Sequence, residues 1–342
     1  MTVDAAAAGT EVLRGPGNLE ECVVVVTPRS FGEFDPALRD ELEQAVAEVR
    51  YRPGPLAADQ LAQALVDADG LIAGLDEISA EVFERARRLR AVARYGIGAD
   101  RVDLDAAARH GVTVTVTPGA NANAVAELTI ALLLALARSV TPARDRVRAG
   151  EWPAVLGVEV ARRTLGLLGL GRIGSLVAGK ARALGLRVLA HDPFVEDEQA
   201  RAAGVALVDL ETLAEESDFL SLHAELTEQS RGIVNRALLQ RLKPGAALVN
   251  TARGELVDEG ALLWALDHGP LQAAALDVLA DEPPPRDHPL LLRDDVLVTP
   301  HMGAHTAEAA TAMGRIALEE LVAVLSGRPP RFPVVRGKAT RV

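Results

Sequence analysis

Thr164-Leu165-Gly166-Leu167-Leu168-Gly169-Leu170-Gly171-Arg172-Ile173-Gly174 runs from an apolar stretch straight into G-x-G-x-x-G. A helical pattern follows over 175–184, then a second apolar run over 187–190 that ends in His191-Asp192. Strand, glycine turn, helix, strand and acid, in that order, predict a unit that binds the ADP half of a dinucleotide. Gly169 permits the tight turn off the strand, Gly171 lets a pyrophosphate approach the backbone, and Gly174 lets the helix pack closely on the sheet. The helix start offers free N–H groups and positive dipole to the phosphates. Asp192 is placed to accept from both adenosine ribose hydroxyls and to repel a 2′-phosphate, so NAD is expected over NADP. A methyltransferase uses a similar loop and acid to hold S-adenosylmethionine and is a rival reading.

The 342 residues suffice for two domains, and 49% hydrophobic residues suffice for substantial cores. Aromatics are only 3%, so Ala, Leu and Val must build those cores. A net charge of −12 argues against nucleic acid or an anionic membrane as a partner, while leaving room for a local basic pocket. The lone Cys22 lies in an apolar run and reads as core rather than nucleophile. No basic-then-apolar secretory signal opens the chain, and the apolar run after Cys22 is too short to span a bilayer. A cytoplasmic protein is expected, with residues 1–20 as a loose leader and no metal.

Apolar runs alternate with helical patterns almost throughout, as in a mostly parallel α/β fold. Strands are predicted over 22–27, 48–52, 70–73, 91–94 and 113–117, with helices over 36–47, 59–67, 80–87 and 105–109. A long helix over 122–139, apolar nearly all round, should be buried. Further strands are predicted over 164–168, 187–190, 205–208, 219–222, 247–250, 273–276 and 296–299, and a last helix over 306–325. Three of the later strands end in polar segments: Asn250-Thr251-Ala252-Arg253-Gly254, Asp277 to Pro283, and Thr299-Pro300-His301-Met302-Gly303. In an open α/β sheet these ends face the ligand crevice. His301 can then give a proton to a carbonyl oxygen. Glu282 can orient the imidazole, and Arg253 can polarise the carbonyl and fork onto a carboxylate. Each residue alone has a bland reading as a turn or ion-pair residue; the three together, downstream of a dinucleotide loop, point to carbonyl reduction.

With these segments quoted, the chain resembles the D-isomer-specific 2-hydroxyacid dehydrogenases, on their phosphoglycerate dehydrogenase-like branch. The resemblance also rests on Ala93-Arg94-Tyr95-Gly96-Ile97-Gly98-Ala99-Asp100, Asn121-Ala122-Asn123-Ala124-Val125-Ala126-Glu127-Leu128 and Asn250 to Asp258. It implies Arg253, Glu282 and His301 as the catalytic set. It implies cofactor contacts at Gly169, Gly171, Arg172, Ile173, Gly174, Asp192, Thr251, Asp277 and Gly303, with Arg253 and His301 beside them. Substrate contacts fall on Arg94, Arg253 and the backbone amides of Ile97 and Gly98. It further implies a Rossmann cofactor domain (119–303) inserted in a flavodoxin-like substrate domain (21–118 and 304–342), and a homodimer formed through the cofactor domain.

Two segments depart from the family pattern. Gly74-Leu75-Asp76-Glu77 replaces an Arg-Ser-x-Thr-like segment, so a phosphate-binding Arg is lost. His223-Ala224-Glu225-Leu226 stands where His-x-Pro-Leu is usual, with Glu225 near the expected nicotinamide ribose. The short stretch after the last helix leads us to expect no regulatory C-terminal domain. The expected activity is NAD-dependent interconversion of a D-2-hydroxy acid and its 2-keto acid, a small anion, with 3-phosphoglycerate the leading named substrate. A glyoxylate or hydroxypyruvate type reductase is the alternative, and a non-catalytic NADH-sensing, corepressor-like protein is another. The methyltransferase ranks last because it leaves Arg253, Glu282 and His301 unexplained.

Overall fold

The computed structural model describes residues 18–334. Most of the expected leader therefore lies outside the described residues. Its last part is ordered: Asn18 accepts from Glu20 N and caps the 3-10 turn Leu19–Glu21. The chain folds as two compact units, one holding the described residues up to Asn121 and again from Thr306, the other Ala122–His305.

The first unit alternates β1 (Val23–Val26), α1 (Ala37–Ala45), β2 (Glu48–Tyr51), α2 (Ala58–Leu65), β3 (Gly70–Ala73), α3 (Ala80–Arg85), β4 (Ala91–Arg94), α4 (Leu104–Arg109) and β5 (Thr113–Thr115). Its sheet is parallel in the order β2-β1-β3-β4-β5, the flavodoxin-like order. β3 and β4 are buried along their whole length, which is why their sequence, up to Arg94 at the end of β4, reads as an apolar run rather than an alternation. The fifth strand, expected to reach Thr117, ends two residues earlier. Beyond Thr115, Val116 N donates to Phe332 O, and Val334 N to Val114 O, so the returning chain closes this edge in antiparallel fashion.

The second unit opens with α5 (Ala122–Ala137) and α6 (Val140–Arg148). It continues through β6 (Thr164–Leu168), α7 (Arg172–Ala183), β7 (Arg187–His191), α8 (Asp197–Ala202), β8 (Ala206–Leu207) and α9 (Leu210–Glu216). β9 (Phe219–Leu222), α10 (Arg236–Leu239), β10 (Ala246–Asn250), α11 (Glu259–His268), β11 (Leu271–Leu276) and β12 (Val296–Val298) complete it. The parallel sheet runs β12-β11-β10-β9-β6-β7-β8. The chain moves outward from β6 through β7 to β8, then restarts at β9 on the other side of β6. That reversal places a ligand crevice at the carboxyl ends of β6 and β9. α6 is not among the predicted helices. Its apolar residues Val140, Ala143 and Val147 share one face but none is buried, and it is set off from α5 by Ser139 in the left-handed region at φ 50°. α5 is buried, as expected of its composition: Leu132, Leu133 and Ala137 join the core under β6 and α7.

The chain then re-enters the first unit as α12 (Ala307–Leu325). Leu321 and Leu325 pack onto Gly70 of β3, where a Cβ would sit 3.0 Å from the Leu321 methyl. Each fully buried leucine of this kind contributes about 1.5–3 kcal/mol. No single helix among the described residues is long and apolar enough to cross a membrane; the pair α5 and α6 passes by length and composition, bent by 63°.

Candidate active site

The glycine turn is shaped by what its residues cannot carry. Gly169 has φ +98°, and a Cβ on it would sit 2.7 Å from Ala224 N and the His223 carbonyl carbon. A Cβ on Gly174 would overlap the carbonyl oxygen of Gly169. Gly171 is different: a Cβ there would meet nothing within 4 Å, so the approach to its backbone is open. It caps α7 without a side-chain hydrogen bond, leaving the N–H groups of Arg172 and Ile173 at the positive end of a 12-residue helix. An open, side-chain-free helix start is what a pyrophosphate needs. Asp192, at the end of β7, accepts from Leu170 N (Oδ2, 2.9 Å) and Phe194 N (Oδ1, 2.9 Å). Each oxygen keeps a second lone pair for a ribose hydroxyl. The residues present therefore fit a dinucleotide.

Beyond β10, the buried Asn250 folds the next residues into a turn. Its amide donates to Arg253 O (2.8 Å) and its carbonyl accepts from Ala252 N (3.0 Å). Arg253 is thus presented at the strand end, its Nη1 donating to Ala252 O at 2.7 Å. The Thr251 hydroxyl lies 2.8 Å from that of Thr129 on α5. Thr129 already donates to Val125 O, so Thr251 supplies the proton between them. Asn250 shows in the sequence only as the start of a polar strand end, not as the residue that folds it, and Thr129 does not stand out, because a buried hydroxyl inside an apolar helix carries no pattern.

His301 follows β12 with φ +50°, a left-handed backbone that a non-glycine residue seldom adopts. Its Nδ1 is 2.8 Å from Glu282 Oε2, while Glu282 Oε1 accepts from Leu279 N at 3.2 Å. A carboxylate only accepts, so Nδ1 carries the hydrogen and Nε2 is left to exchange a proton. Both side chains are partly exposed, at 24% for His301 and 16% for Glu282, so the pair is reachable. Asp277, almost wholly buried, fixes the His301 loop. Its Oδ1 accepts from the Thr299 hydroxyl (2.6 Å) and Met302 N (2.9 Å), and its Oδ2 from Gly303 N (2.8 Å). Expected as a cofactor contact, Asp277 has most of its acceptor capacity spent inside the protein and serves first as the clamp of this loop. Gly303 is small for the same reason: a Cβ would lie 3.1 Å from Asp277 Oδ2 and 3.3 Å from a Val125 methyl.

In the first unit, Arg94 is placed differently from its sequence reading as a cation for the substrate. It is buried, and its guanidinium donates to the carbonyls of Gly98 (3.0 Å), Ala73 (3.3 Å) and Gly74. It braces the turn that presents the Ile97 and Gly98 amides. Among the described residues, neither of those N–H groups has a backbone or side-chain acceptor. The Gly74 segment is stitched by Asp76, whose carboxylate accepts from the Thr27 hydroxyl, Gly74 N (3.1 Å) and Leu56 N (2.8 Å). This acid is structural. No group of three or more His, Cys, Asp or Glu among the described residues is arranged to hold a metal ion.

His223, after β9, packs beneath the glycine turn with its Nε2 2.9 Å from Ser221 Oγ. Burial pushes its imidazole down to about 3.

Residues 130–303 match the family model for the D-isomer specific 2-hydroxyacid dehydrogenase NAD binding domain. A D-3-phosphoglycerate dehydrogenase of Methanocaldococcus jannaschii is 40% identical over 299 residues, covering 86% of this chain and 57% of the relative. A glyoxylate reductase of Korarchaeum cryptofilum is 41% identical over 271 residues, 77% of this chain and 82% of the relative. A solved structure from Thermus thermophilus superposes with a TM-score of 0.83 at 41% identity, covering 92% of this chain and 100% of that one. The chain spans about half the length of the D-3-phosphoglycerate dehydrogenases it matches. Glycine turn, Asp192 and the His301–Glu282 pair thus sit in a matched NAD-binding domain, and the chain belongs to the D-isomer-specific 2-hydroxyacid dehydrogenase family, on its phosphoglycerate dehydrogenase-like branch.

Proposed function

We propose that this chain is an NAD-dependent oxidoreductase that interconverts a small D-2-hydroxy acid and its 2-keto acid. The observation that carries the reading is the His301 Nδ1–Glu282 contact at the strand ends of the NAD-binding unit. Bound NADH supplies the hydride; the chain supplies the proton and the charge. Glu282 holds Nδ1–H, so Nε2 delivers its proton to the carbonyl oxygen during reduction and recovers one from the hydroxyl during oxidation. Arg253 draws electron density toward that oxygen and takes the neighbouring carboxylate in a forked contact. In the other unit, the Ile97 and Gly98 N–H groups are available to a carboxylate, with Arg94 bracing their turn from behind. Relatives named for D-3-phosphoglycerate and for glyoxylate support 3-phosphoglycerate/phosphohydroxypyruvate and glyoxylate as the first substrates to try.

The test is NADH oxidation followed by absorbance with a panel of 2-keto acids, phosphohydroxypyruvate and glyoxylate included. NADH binding without turnover on any of them would sink the proposal. His301→Ala should lower kcat by about 10²–10⁴-fold and leave NADH affinity within about twofold.

The reading includes a homodimer joined through the NAD-binding unit and working in the cytoplasm, which supplies NAD. What supports the dimer is an apolar arm after α6: Trp152 is 91% and Leu156 94% exposed, with Val155 and Val158 also open. Beside Leu156 and Val158 lies a cavity of about 450 Å³, walled also by Phe219 and Val296. Large apolar side chains left open together, rather than singly, favour an interface. Sedimentation of the protein and of Leu156→Glu should give dimer and monomer; two monomers would refute it.

A further inference from the structure

Behind the His301–Glu282 pair lies a second imidazole–carboxylate pair. His288 Nε2 is 3.2 Å from Glu259 Oε2. His288 Nδ1 faces Leu290 N at 3.4 Å and caps the turn Pro289–Leu292. An Nδ1 that accepts leaves the ring hydrogen on Nε2, pointing at Glu259. The other oxygen of Glu259 accepts from Ala280 N at 3.1 Å. Leu279 N, the amide just before, is held by Glu282. Two carboxylates from different parts of the chain therefore grip two consecutive amides.

The peptide between Leu279 and Ala280 has a third contact. It lies flat against Gly254, the residue after Arg253. A Cβ at Gly254 would overlap the Leu279 carbonyl carbon and the Ala280 nitrogen. One peptide plate thus sets the Arg253 loop on one side and, through the adjoining amide, the Glu282 carboxylate on the other. We propose that Glu259 and His288 are positioning residues, holding the Leu279–Ala280 peptide so that Glu282 keeps His301 in register with Arg253. This rests on the oxidoreductase reading for its meaning in catalysis; the geometric part concerns the folded chain alone.

The electrostatic logic is that of an acceptor with two donors. Glu259 accepts at both oxygens. A glutamine of the same shape can accept at one and must present an NH₂ to the other donor. Whichever way its amide turns, either the Ala280 N–H or the His288 Nε2–H loses its partner. The side chain is partly open to water, so the exchange should not prevent folding.

The decisive variant is Glu259→Gln, read in two ways. The first is the downfield proton resonance of His301 Nδ1–H in the folded protein, assigned by its loss in His301→Gln. It should broaden or move upfield. The second is kcat, which should fall on the order of tenfold or more, as misplacement of a catalytic group does, with NADH affinity unchanged. An unmoved resonance and an unchanged kcat would overturn the proposal for Glu259. The proton signal is read whether or not any 2-keto acid is turned over, so its outcome is separate from that of the oxidoreductase assay.

His288 has its own pair of variants. His288→Gln reaches Glu259 with an N–H but loses the cap on Leu290; His288→Asn keeps the cap but falls short of Glu259. The expected result is a near-normal His301 resonance in His288→Gln and a disturbed one in His288→Asn. The reverse order, or equal behaviour of the two, would show that His288 acts as a cap alone and would remove it from the proposal.

Discussion

Acidification should weaken the NAD-binding unit through one imidazole, that of His223. Its ring lies under the glycine turn, and loss of solvation is the sole cause that pushes it down to about 3. The sign follows from linkage. In the unfolded chain the imidazole takes a proton below about 6.5, while in the folded unit it stays neutral until about 3. Between these values the unfolded state binds more protons, so stability falls as pH falls through that window. At pH 5 the gap from the unfolded imidazole is about 1.5 pH units, worth about 2 kcal/mol at roughly 1.36 kcal/mol per unit. Part of the His223 surface still reaches solvent, so this is an upper bound. The control is His223→Gln, whose amide can reach Ser221 Oγ, 2.9 Å from Nε2 in the native ring, and does not titrate. Urea unfolding at about pH 7 and about pH 5 should show the native protein losing up to about 2 kcal/mol more than the variant. NADH affinity should drop alongside, because a charged ring would disturb the Gly169 turn. Parallel pH dependence in the two proteins would refute the argument.

Three more outcomes follow from the same geometry. Asp277→Asn puts an NH₂ against Gly303 N–H, so a buried charge-assisted bond becomes a donor–donor contact; unfolding free energy should fall by about 1.5–3 kcal/mol, and an unchanged denaturation midpoint would contradict the clamp. Gly171→Val should leave the melting temperature nearly unchanged, since its Cβ meets nothing, yet weaken NADH binding at least about tenfold by occupying the pyrophosphate approach, as titration calorimetry would show. At Gly74, a Cβ would make only ordinary contact, 3.6 Å from Pro28 and Thr27. Gly74→Arg should therefore fold and lower KM for phosphohydroxypyruvate relative to glyoxylate by about tenfold or more; an unmoved ratio would show that this strand end does not face the substrate's far end.

Much of this was legible because strands buried on both faces announce themselves. β3, β4, β6 and β9 have the limits that their mostly apolar runs predict. The glycine loop was legible because each glycine answers a steric demand that no other residue meets. What pattern could not show was which lone pairs are already used. Asp277 and Arg94 look from sequence like groups waiting for a ligand. In the fold, Asp277 accepts from its own loop, and Arg94 donates to three carbonyls. Asp76, in the segment that departs from the family's Arg-Ser-x-Thr pattern, is a buried staple between Thr27, Leu56 and Gly74. Such roles depend on tertiary neighbours tens of residues away. α6 is missed because its few apolar residues, Val140, Ala143 and Val147, are spread through a short, mostly polar run, and the helix buries nothing.

The same accounting explains why the loop after β11 is rich in acids although the expected substrate is an anion. His301 is held in a left-handed conformation that costs a non-glycine residue about 1–3 kcal/mol. Left to itself that loop would relax and turn the ring away from Glu282. Asp277 offsets the strain with three hydrogen bonds to the residues on either side of His301, each charge-assisted and worth about 1.5–3 kcal/mol. Glu282 then needs to hold only the ring, not the backbone. A neutral acceptor in place of Asp277 would supply fewer and weaker bonds and leave a smaller margin over the strain. Asp277, Glu282 and Glu259 are therefore committed to N–H and O–H groups of the protein rather than turned on an incoming anion.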